Sequence, residues 1–114
     1  MIAPLDERTR RIAVNETRFR AINDRVAQDL REVTAEGEAL EFVCECGYAE
    51  CRDAICLDQG AYEAVRANST HFAVLPGHEI ADVETVIESH DGYLVVEKAP
   101  VTHAIVLEDD PRQA

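Results

Sequence analysis

The chain has 114 residues, a formal net charge of −12, 46% hydrophobic residues and no Trp. This length fits one domain with a modest core, to which a bound metal ion would add useful stability. The acidic charge argues against nucleic acid or an anionic membrane surface as the main partner, and no direct nucleic-acid binding is expected. We expect a cytoplasmic location, because no signal-peptide pattern follows Met1 and no apolar run has the length of a membrane span.

The charge is distributed unevenly along the chain. Residues 1–31 contain seven arginines and five acidic residues, a balance of +2. Residues 32–114 contain four basic and eighteen acidic residues, a balance of −14. A solvated surface that keeps the protein soluble explains this pattern, and an acidic face that binds a basic protein is the alternative.

The first predicted element is an amphipathic helix from about residue 6 to 35, with Pro4 and Asp6 at its start. Apolar residues recur at helical spacing and define one stripe: Ile12, Phe19, Ile22, Val26, Leu30 and Val33. Charged residues such as Glu16 are expected to lie off this stripe. A helix of this length spans about 45 Å, more than one small core covers. The helix is therefore either a core element with frayed first turns or a projecting element that forms a homodimer.

Shorter elements follow the helix. Gly37 marks a loop, after which residues 40–43 are a predicted strand that leads into the first cysteine. A short helix capped by Asp58 is predicted to end near Ala67. Residues 71–75 are the next predicted strand, which Pro and Gly terminate.

The C-terminal half is predicted to contain one helix and two strands. The helix begins near Glu79 and ends near Gly92, because four apolar residues share one face: Ile80, Val83, Val86 and Ile87. Residues 93–98 and 103–107 are predicted strands, rich in β-branched and other apolar residues.

All four cysteines lie within residues 42–56, in the sequence FVCECGYAECRDAIC. In a reducing compartment, cysteines this concentrated favour a metal over disulfides. Thiolates suit zinc, and a structural zinc takes four of them, or three with a histidine. Cys44 and Cys46 are two residues apart, so both sulfurs can leave the same face of a strand. Gly47 is expected to turn the chain with a positive φ, so that Cys51 returns to the same site.

The fourth ligand has two candidates, Cys56 and His78. Cys56 would complete an all-cysteine site within one segment, but it lies in the apolar run Ala54–Leu57, where a cysteine is often a small core residue. His78 lies in a Pro-Gly turn between a predicted strand and a predicted helix, and would tie two parts of the fold together. The residues alone leave this choice open.

Four motifs together resemble those of a group of small, uncharacterised bacterial proteins that share their order. The motifs are FVCECGxxxC at residues 42–51, YExVR at 62–66, FxVxPGHE at 72–79 and GYxVVEK at 92–98. The resemblance implies a shared polar set of three cysteines and the histidine of PGHE, which correspond to Cys44, Cys46, Cys51 and His78. Cys56 falls outside these motifs. The resemblance implies no activity.

The interpretation is a small zinc-binding protein with a structural site of three cysteines and one histidine, acting as a protein-interaction or regulatory module. No residue is assigned a catalytic role. The expected partner is another protein, a basic one if the acidic face binds it, or a second copy bound through the N-terminal helix. The alternatives are a metal-dependent enzyme, in which zinc keeps a position open for water, and a redox sensor that uses Cys56. No HExxH, phosphate-loop or GxSxG motif supports an enzyme.

The predicted elements define an α+β fold: a long N-terminal amphipathic helix, a zinc knuckle, and a small, mainly antiparallel sheet with two shorter helices. Residues 1–35 are the predicted helical arm, and residues 36–107 the zinc-stabilised α+β domain. Residues 108–114 are a predicted disordered tail, because they are acidic and then contain a proline.

Overall fold

The computed structural model describes residues 6–112. In this range the chain forms three α-helices: α1 (Glu7–Leu30), α2 (Gln59–Arg66) and α3 (His103–Glu108). The same range contains five strands: β1 (Ala39–Val43), β2 (Ala54–Asp58), β3 (His71–Val74), β4 (Glu84–His90) and β5 (Tyr93–Lys98). A 3₁₀ turn at Pro100–Thr102 precedes α3.

The strands form two antiparallel sheets, which confirms the predicted α+β class. β1 pairs with β2, with Phe42 opposite Ile55. In the second sheet β5 lies between β3 and β4, with Phe72 opposite Val96. These four side chains are buried in the main core. The prediction of one small sheet is therefore refined to two sheets that share a core.

Helix α1 presents a buried face that is largely polar or small. Asp6 caps the helix as predicted, because its carboxylate accepts a hydrogen bond from the Thr9 N–H at 2.8 Å. The buried residues of α1 are Thr9, Ile12, Ala13, Glu16, Thr17, Arg20, Asn23 and Ala27. Of the predicted apolar stripe only Ile12 is buried, and Val33 is 77% exposed. The prediction that this apolar stripe is the buried face is wrong. The observed buried face includes Glu16 and Arg20, whose charged groups contact Lys98 and the Val106 carbonyl in other elements.

Residues 84–90 form a strand where a helix is predicted. Val86 and Ile87, assigned to a buried helix face, are 41% and 40% exposed on β4. Asp91 and Gly92 close the β4–β5 hairpin, and Gly92 has a φ of +89°. Gly92 therefore serves a tight turn between paired strands rather than a helix end.

Residues 103–107 form a helix where a strand is predicted. Pro100 begins a helical turn, for which its fixed φ is suited. Thr102 and Val106 are four residues apart and both are buried, so the segment covers the core with a helical face. Helix α2 agrees with its prediction, because Asp58 caps it by accepting the Ala61 N–H at 2.7 Å.

The predicted domain boundaries after residues 35 and 107 stay a prediction. The described range excludes residues 1–5, and with them Pro4, and residues 113–114. Side chains from all three segments nevertheless meet in one core. Arg66 donates hydrogen bonds to both Asp24 and Asp110, and Asp110 is 4% exposed. Among the helices of residues 6–112, none combines the length and apolar character that a bilayer span requires.

Candidate metal centre

The cysteine loop, residues 44–53, connects β1 to β2 and packs against β3. The Cys44 N–H donates to the Asp53 carbonyl at 3.0 Å, which extends the β1–β2 pairing by one step. The Glu45 N–H donates to the Ala73 carbonyl at 2.9 Å, and the Glu45 carboxylate accepts the Ala73 N–H at 3.0 Å. The loop is therefore fixed to the second sheet between its first two cysteines.

Gly47 lies where this loop crosses α1. Its φ is not positive, so the prediction of a left-handed turn at this position is wrong. A Cβ atom at position 47 would overlap the Ile12 side chain and lie 3.1 Å from Cδ1 of Ile80. Asn15 Nδ2 donates to the Gly47 carbonyl at 3.1 Å. The position requires glycine because the loop backbone and α1 approach so closely.

His78 reaches the cysteines from the connection between β3 and β4. Its N–H donates to the Leu75 carbonyl at 2.9 Å and closes a turn whose central residues are Pro76 and Gly77. Gly77 has a φ of +94°. Proline followed by a glycine with positive φ is the type II turn pattern. This turn returns the imidazole toward the loop.

Four potential ligand atoms converge at this point, one each from Cys44, Cys46, Cys51 and His78. All of them lie within 4.8 Å of one another. His78 Nδ1 is 3.6 Å from the sulfurs of both Cys44 and Cys51. A tetrahedral zinc, with Zn–S of about 2.3 Å and Zn–N of about 2.0–2.1 Å, places sulfur and nitrogen about 3.6 Å apart. The arrangement is compatible with a zinc site.

Backbone N–H groups lie beside the three sulfurs. The Leu75 N–H donates to Cys44 Sγ at 3.2 Å. A hydrogen bond from the Cys44 thiol, assisted by the Tyr48 N–H, lowers the pKa of Cys46 to about 5. Donation to Cys46 and burial raise the pKa of Cys44, and burial raises the pKa of Cys51. Burial therefore opposes the ionisation of Cys44 and Cys51, and a bound cation would favour the thiolate form of all three cysteines.

The second nitrogen of His78 faces a carboxylate. Asp53 Oδ2 lies 3.6 Å from His78 Nε2, whereas Nδ1 is the nitrogen that faces the sulfurs of Cys44 and Cys51. Histidines that bind metal through one nitrogen commonly direct the other toward a carboxylate or a carbonyl. Asp53 is thus placed to orient the ring, at a distance that must shorten before a hydrogen bond forms.

Cys56 lies outside this group. It belongs to β2, where Ile55 and Leu57 are buried and Cys56 is exposed. The expectation that Cys56 is a small core residue is therefore wrong. The alternation of side chains along a strand is the signal that would have placed it on the outer face.

Sequence reasoning missed a buried ion-pair network, formed by Asp24, Arg66, Asp110 and Ser69. The Arg66 Nε lies 2.7 Å from Asp24 Oδ1, and the side chain of Arg66 is fully buried. Asp110 also accepts the Ser69 hydroxyl at 2.6 Å. Arg66 is the last residue of the YExVR motif, and its partners are 42 and 44 residues away in sequence. Such separations leave no local pattern.

Three further glutamates are buried, Glu45 in one place and Glu16 and Glu84 in another. Glu45 accepts three hydrogen bonds, from Asn23 Nδ2 at 2.9 Å, the Tyr62 hydroxyl at 2.7 Å and the Ala73 N–H at 3.0 Å.

Glu16 lies instead beside an ammonium group and a second carboxylate. Lys98 Nζ is 2.8 Å from Glu16 and 3.1 Å from Glu84. The spacing of buried residues 16, 20, 23 and 27 is that of a helix face, although only the last is apolar.

Comparisons of the chain with models of known protein families, with curated proteins and with solved structures found no match.

Proposed function

We propose that this chain is a small zinc-binding protein whose ion is held by Cys44, Cys46, Cys51 and His78. The observation that carries the proposal is the convergence of their four ligand atoms within 4.8 Å. Three sulfurs and one imidazole nitrogen are the soft ligands of a structural zinc site. Binding displaces the remaining thiol protons, so metal affinity rises with pH. The proposal includes a reducing cytoplasmic location, because the thiols must stay reduced to bind the ion.

The proposed role of the ion is to join the two sheets. The three cysteines belong to the loop between β1 and β2, whereas His78 follows β3 in the other sheet. Cys44 and His78 are 34 residues apart, so an ion bound to both closes a long segment of chain. Four protein ligands fill a tetrahedral shell and leave no position for a substrate water. A structural, non-enzymatic role is favoured for this reason.

The proposed interaction role is assigned to the outer edge of β4. This strand is at the edge of its sheet, and its residues 85–90 are all exposed, including Val86 and Ile87. An open edge of this kind can pair with a strand from a partner. Glu88 and the acidic balance of residues 32–114 favour a partner with basic residues beside that strand.

Affinity capture with three forms of the protein tests this interaction. We expect wild type and Val101→Lys to capture the same protein from a host extract, and Ile87→Lys to lose it. Val101 is the matched control because it is 53% exposed and lies outside β4. Equal capture by all three forms would contradict the assigned edge.

Metal analysis of the purified protein, followed by zinc competition with a chromophoric chelator, tests the metal site. We expect close to one zinc per chain. His78→Ala should weaken zinc binding by more than about 100-fold, because loss of a direct ligand exceeds the loss of a residue that supports one. His90→Ala is the matched control, since His90 lies at the end of β4 and outside the group of four. Equal zinc affinity of the two variants would exclude His78 as a ligand.

A further inference from the structure

A groove lies between α1 and the cysteine loop, on the side of Cys51. Its volume is about 340 Å³, within the range of small-ligand sites. Four apolar side chains contribute to its wall: Phe19, Ile22, Val43 and Ala49. Ile22 is 48% exposed although it is a large aliphatic residue. The groove therefore offers an apolar surface that the fold leaves open to solvent.

The charged side chains that line the groove are both arginines, Arg18 and Arg52. No carboxylate lines it, although the whole chain carries 23 acidic residues against 11 basic ones. Within residues 6–112, no side chain forms an ion pair with Arg18. Arg52 donates its Nη1 to the carbonyls of Ala49 and Cys51, at 3.3 and 2.9 Å. These bonds hold the guanidinium at the groove, and no described residue accepts from its Nε or Nη2.

We propose that this groove binds a small organic carboxylate with an apolar body. The body lies against Phe19, Ile22 and Val43, and the carboxylate pairs with the guanidinium groups of Arg18 and Arg52. Guanidinium groups match the planar geometry of a carboxylate and form charge-assisted hydrogen bonds with it. Two cations that no described carboxylate neutralises lie beside an apolar surface, and this local charge favours an anion over a neutral or cationic ligand despite the chain's net charge of −12.

The groove adjoins the metal site and shares Cys51 with it, but the proposal does not rest on zinc. Cys51 contributes to both, because its sulfur faces the other ligands while the residue also lines the groove. Each sample is therefore assayed for zinc before ligand is added. A protein that lacks zinc but binds the carboxylate would refute the proposed function and leave the groove proposal standing.

Titration of the ¹⁵N-labelled full chain with 4-phenylbutyrate, followed by amide chemical shifts, tests the groove. We expect saturable shifts confined to residues 15–22 and 49–52. The neutral analogue 4-phenylbutanamide, which keeps the apolar body, should bind about tenfold more weakly, because it loses a charge-assisted interaction in a partly exposed site. No saturation up to about 10 mM carboxylate would overturn the proposal.

Three arginine variants separate the groove from general charge attraction. Arg18→Gln and Arg52→Gln should each weaken 4-phenylbutyrate binding about tenfold. Arg10→Gln should change it less than about twofold, because Arg10 is an exposed arginine of α1 that does not line the groove. Ile22→Asp adds a repelling charge to the wall and should abolish saturation. Equal binding by the Arg10 and Arg18 variants, or equal affinity for the acid and the amide, would overturn the proposal.

Discussion

The candidate metal centre and the ion-pair network around Arg66 both bring together distant parts of the chain, but only the network balances its own buried charges. In the network, Arg66 lies between two carboxylates, Asp24 and Asp110. Burial alone would lower the pKa of Arg66, but its hydrogen bonds to both carboxylates raise it overall. Burial opposes the ionisation of Asp110, yet hydrogen bonds from Arg66 and Ser69 lower its pKa to about 2.

The cysteines show the opposite relation. Cys44 donates to Cys46, so that one pKa rises as the other falls. A set of thiols can share protons but cannot all ionise without a cation at their centre. The comparison shows that a buried cluster of opposite charges needs no added ion, because its members balance one another. In the cysteine cluster the group that could balance several thiolates is a metal ion, which Cys44, Cys46, Cys51 and His78 could hold.

The largest expected effect comes from Cys46→Ser. Structural zinc sites supply about 10–16 kcal/mol of binding free energy that folding depends on, and this variant removes one of four ligands. We expect the cooperative thermal transition, followed by circular dichroism, to be lost. Cys56→Ser is the matched control and should melt like wild type, because its side chain is exposed on β2. A Cys46→Ser protein with unchanged melting would show that the cysteine cluster is complete without an ion.

Arg66→Met should be the next most severe change. It leaves Asp24 and Asp110 without their buried cation and should reduce the free energy of unfolding by about 3–5 kcal/mol. Zinc content should stay at one per chain, since no ligand is altered. Urea unfolding at neutral pH measures the loss. Arg25→Met is the control, because the exposed Arg25–Asp29 pair contributes less than about 0.5 kcal/mol.

Wild type and Arg66→Met should also differ in how their stability depends on pH. The folded pKa of Asp110 lies near 2, below its usual value of 3.8. Its contribution to stability is therefore present above pH 3.8 and is lost as the pH falls toward 2. We expect this acid-dependent loss in wild type and its absence in Arg66→Met. Parallel acid profiles for the two proteins would contradict the proposed ionic role of Arg66.

Glu45→Gln should have an intermediate effect. One oxygen of Glu45 accepts the Ala73 N–H and the other accepts Asn23 and Tyr62. A glutamine amide must turn its NH₂ group toward at least one of these donors. We expect a loss of about 1–3 kcal/mol in urea unfolding. An unchanged free energy of unfolding would show that the carboxylate of Glu45 is not required for stability.

Glu16→Gln should have the smallest effect at neutral pH. Burial, reinforced by the nearby Glu84, raises the pKa of Glu16 well above 4.5. The folded protein therefore binds a proton that the unfolded chain releases, and the stability of wild type falls as the pH rises above 4.5. A glutamine can accept from Lys98 and donate to Glu84. We expect unchanged or higher melting at pH 8 and a flatter pH profile; a large loss of stability would show that ionised Glu16 is required.

The sequence was informative where the evidence is local. The Asp58 cap, the strand before the first cysteine and the strand at residues 93–98 follow from capping and side-chain patterns within a few residues. The convergence of His78 with three cysteines was implied by a motif resemblance. The spacing alone did not decide whether Cys56 or His78 is the fourth ligand.

The errors arose where the deciding contacts are long-range. The residues from Glu79 onward have the spacing of an amphipathic helix face. Asp91 and Gly92 between two apolar runs are also a hairpin signal, and pairing with β5 makes residues 84–90 a strand. The buried face of α1 carries Glu16 and Arg20, whose partners Ser69, Lys98 and Val106 lie at least 49 residues away in sequence. No pattern within α1 reveals those partners. The predicted homodimer through this helix stays a prediction.

X-ray absorption at the zinc edge of the purified protein tests the central claim most directly. The proposed site predicts three sulfur neighbours at about 2.3 Å and one nitrogen at about 2.0–2.1 Å, in a four-coordinate shell. His78→Ala should replace the nitrogen of the imidazole with a water oxygen and leave the three sulfurs. Four sulfur neighbours, which would require Cys56, or a protein that contains no zinc would contradict the account.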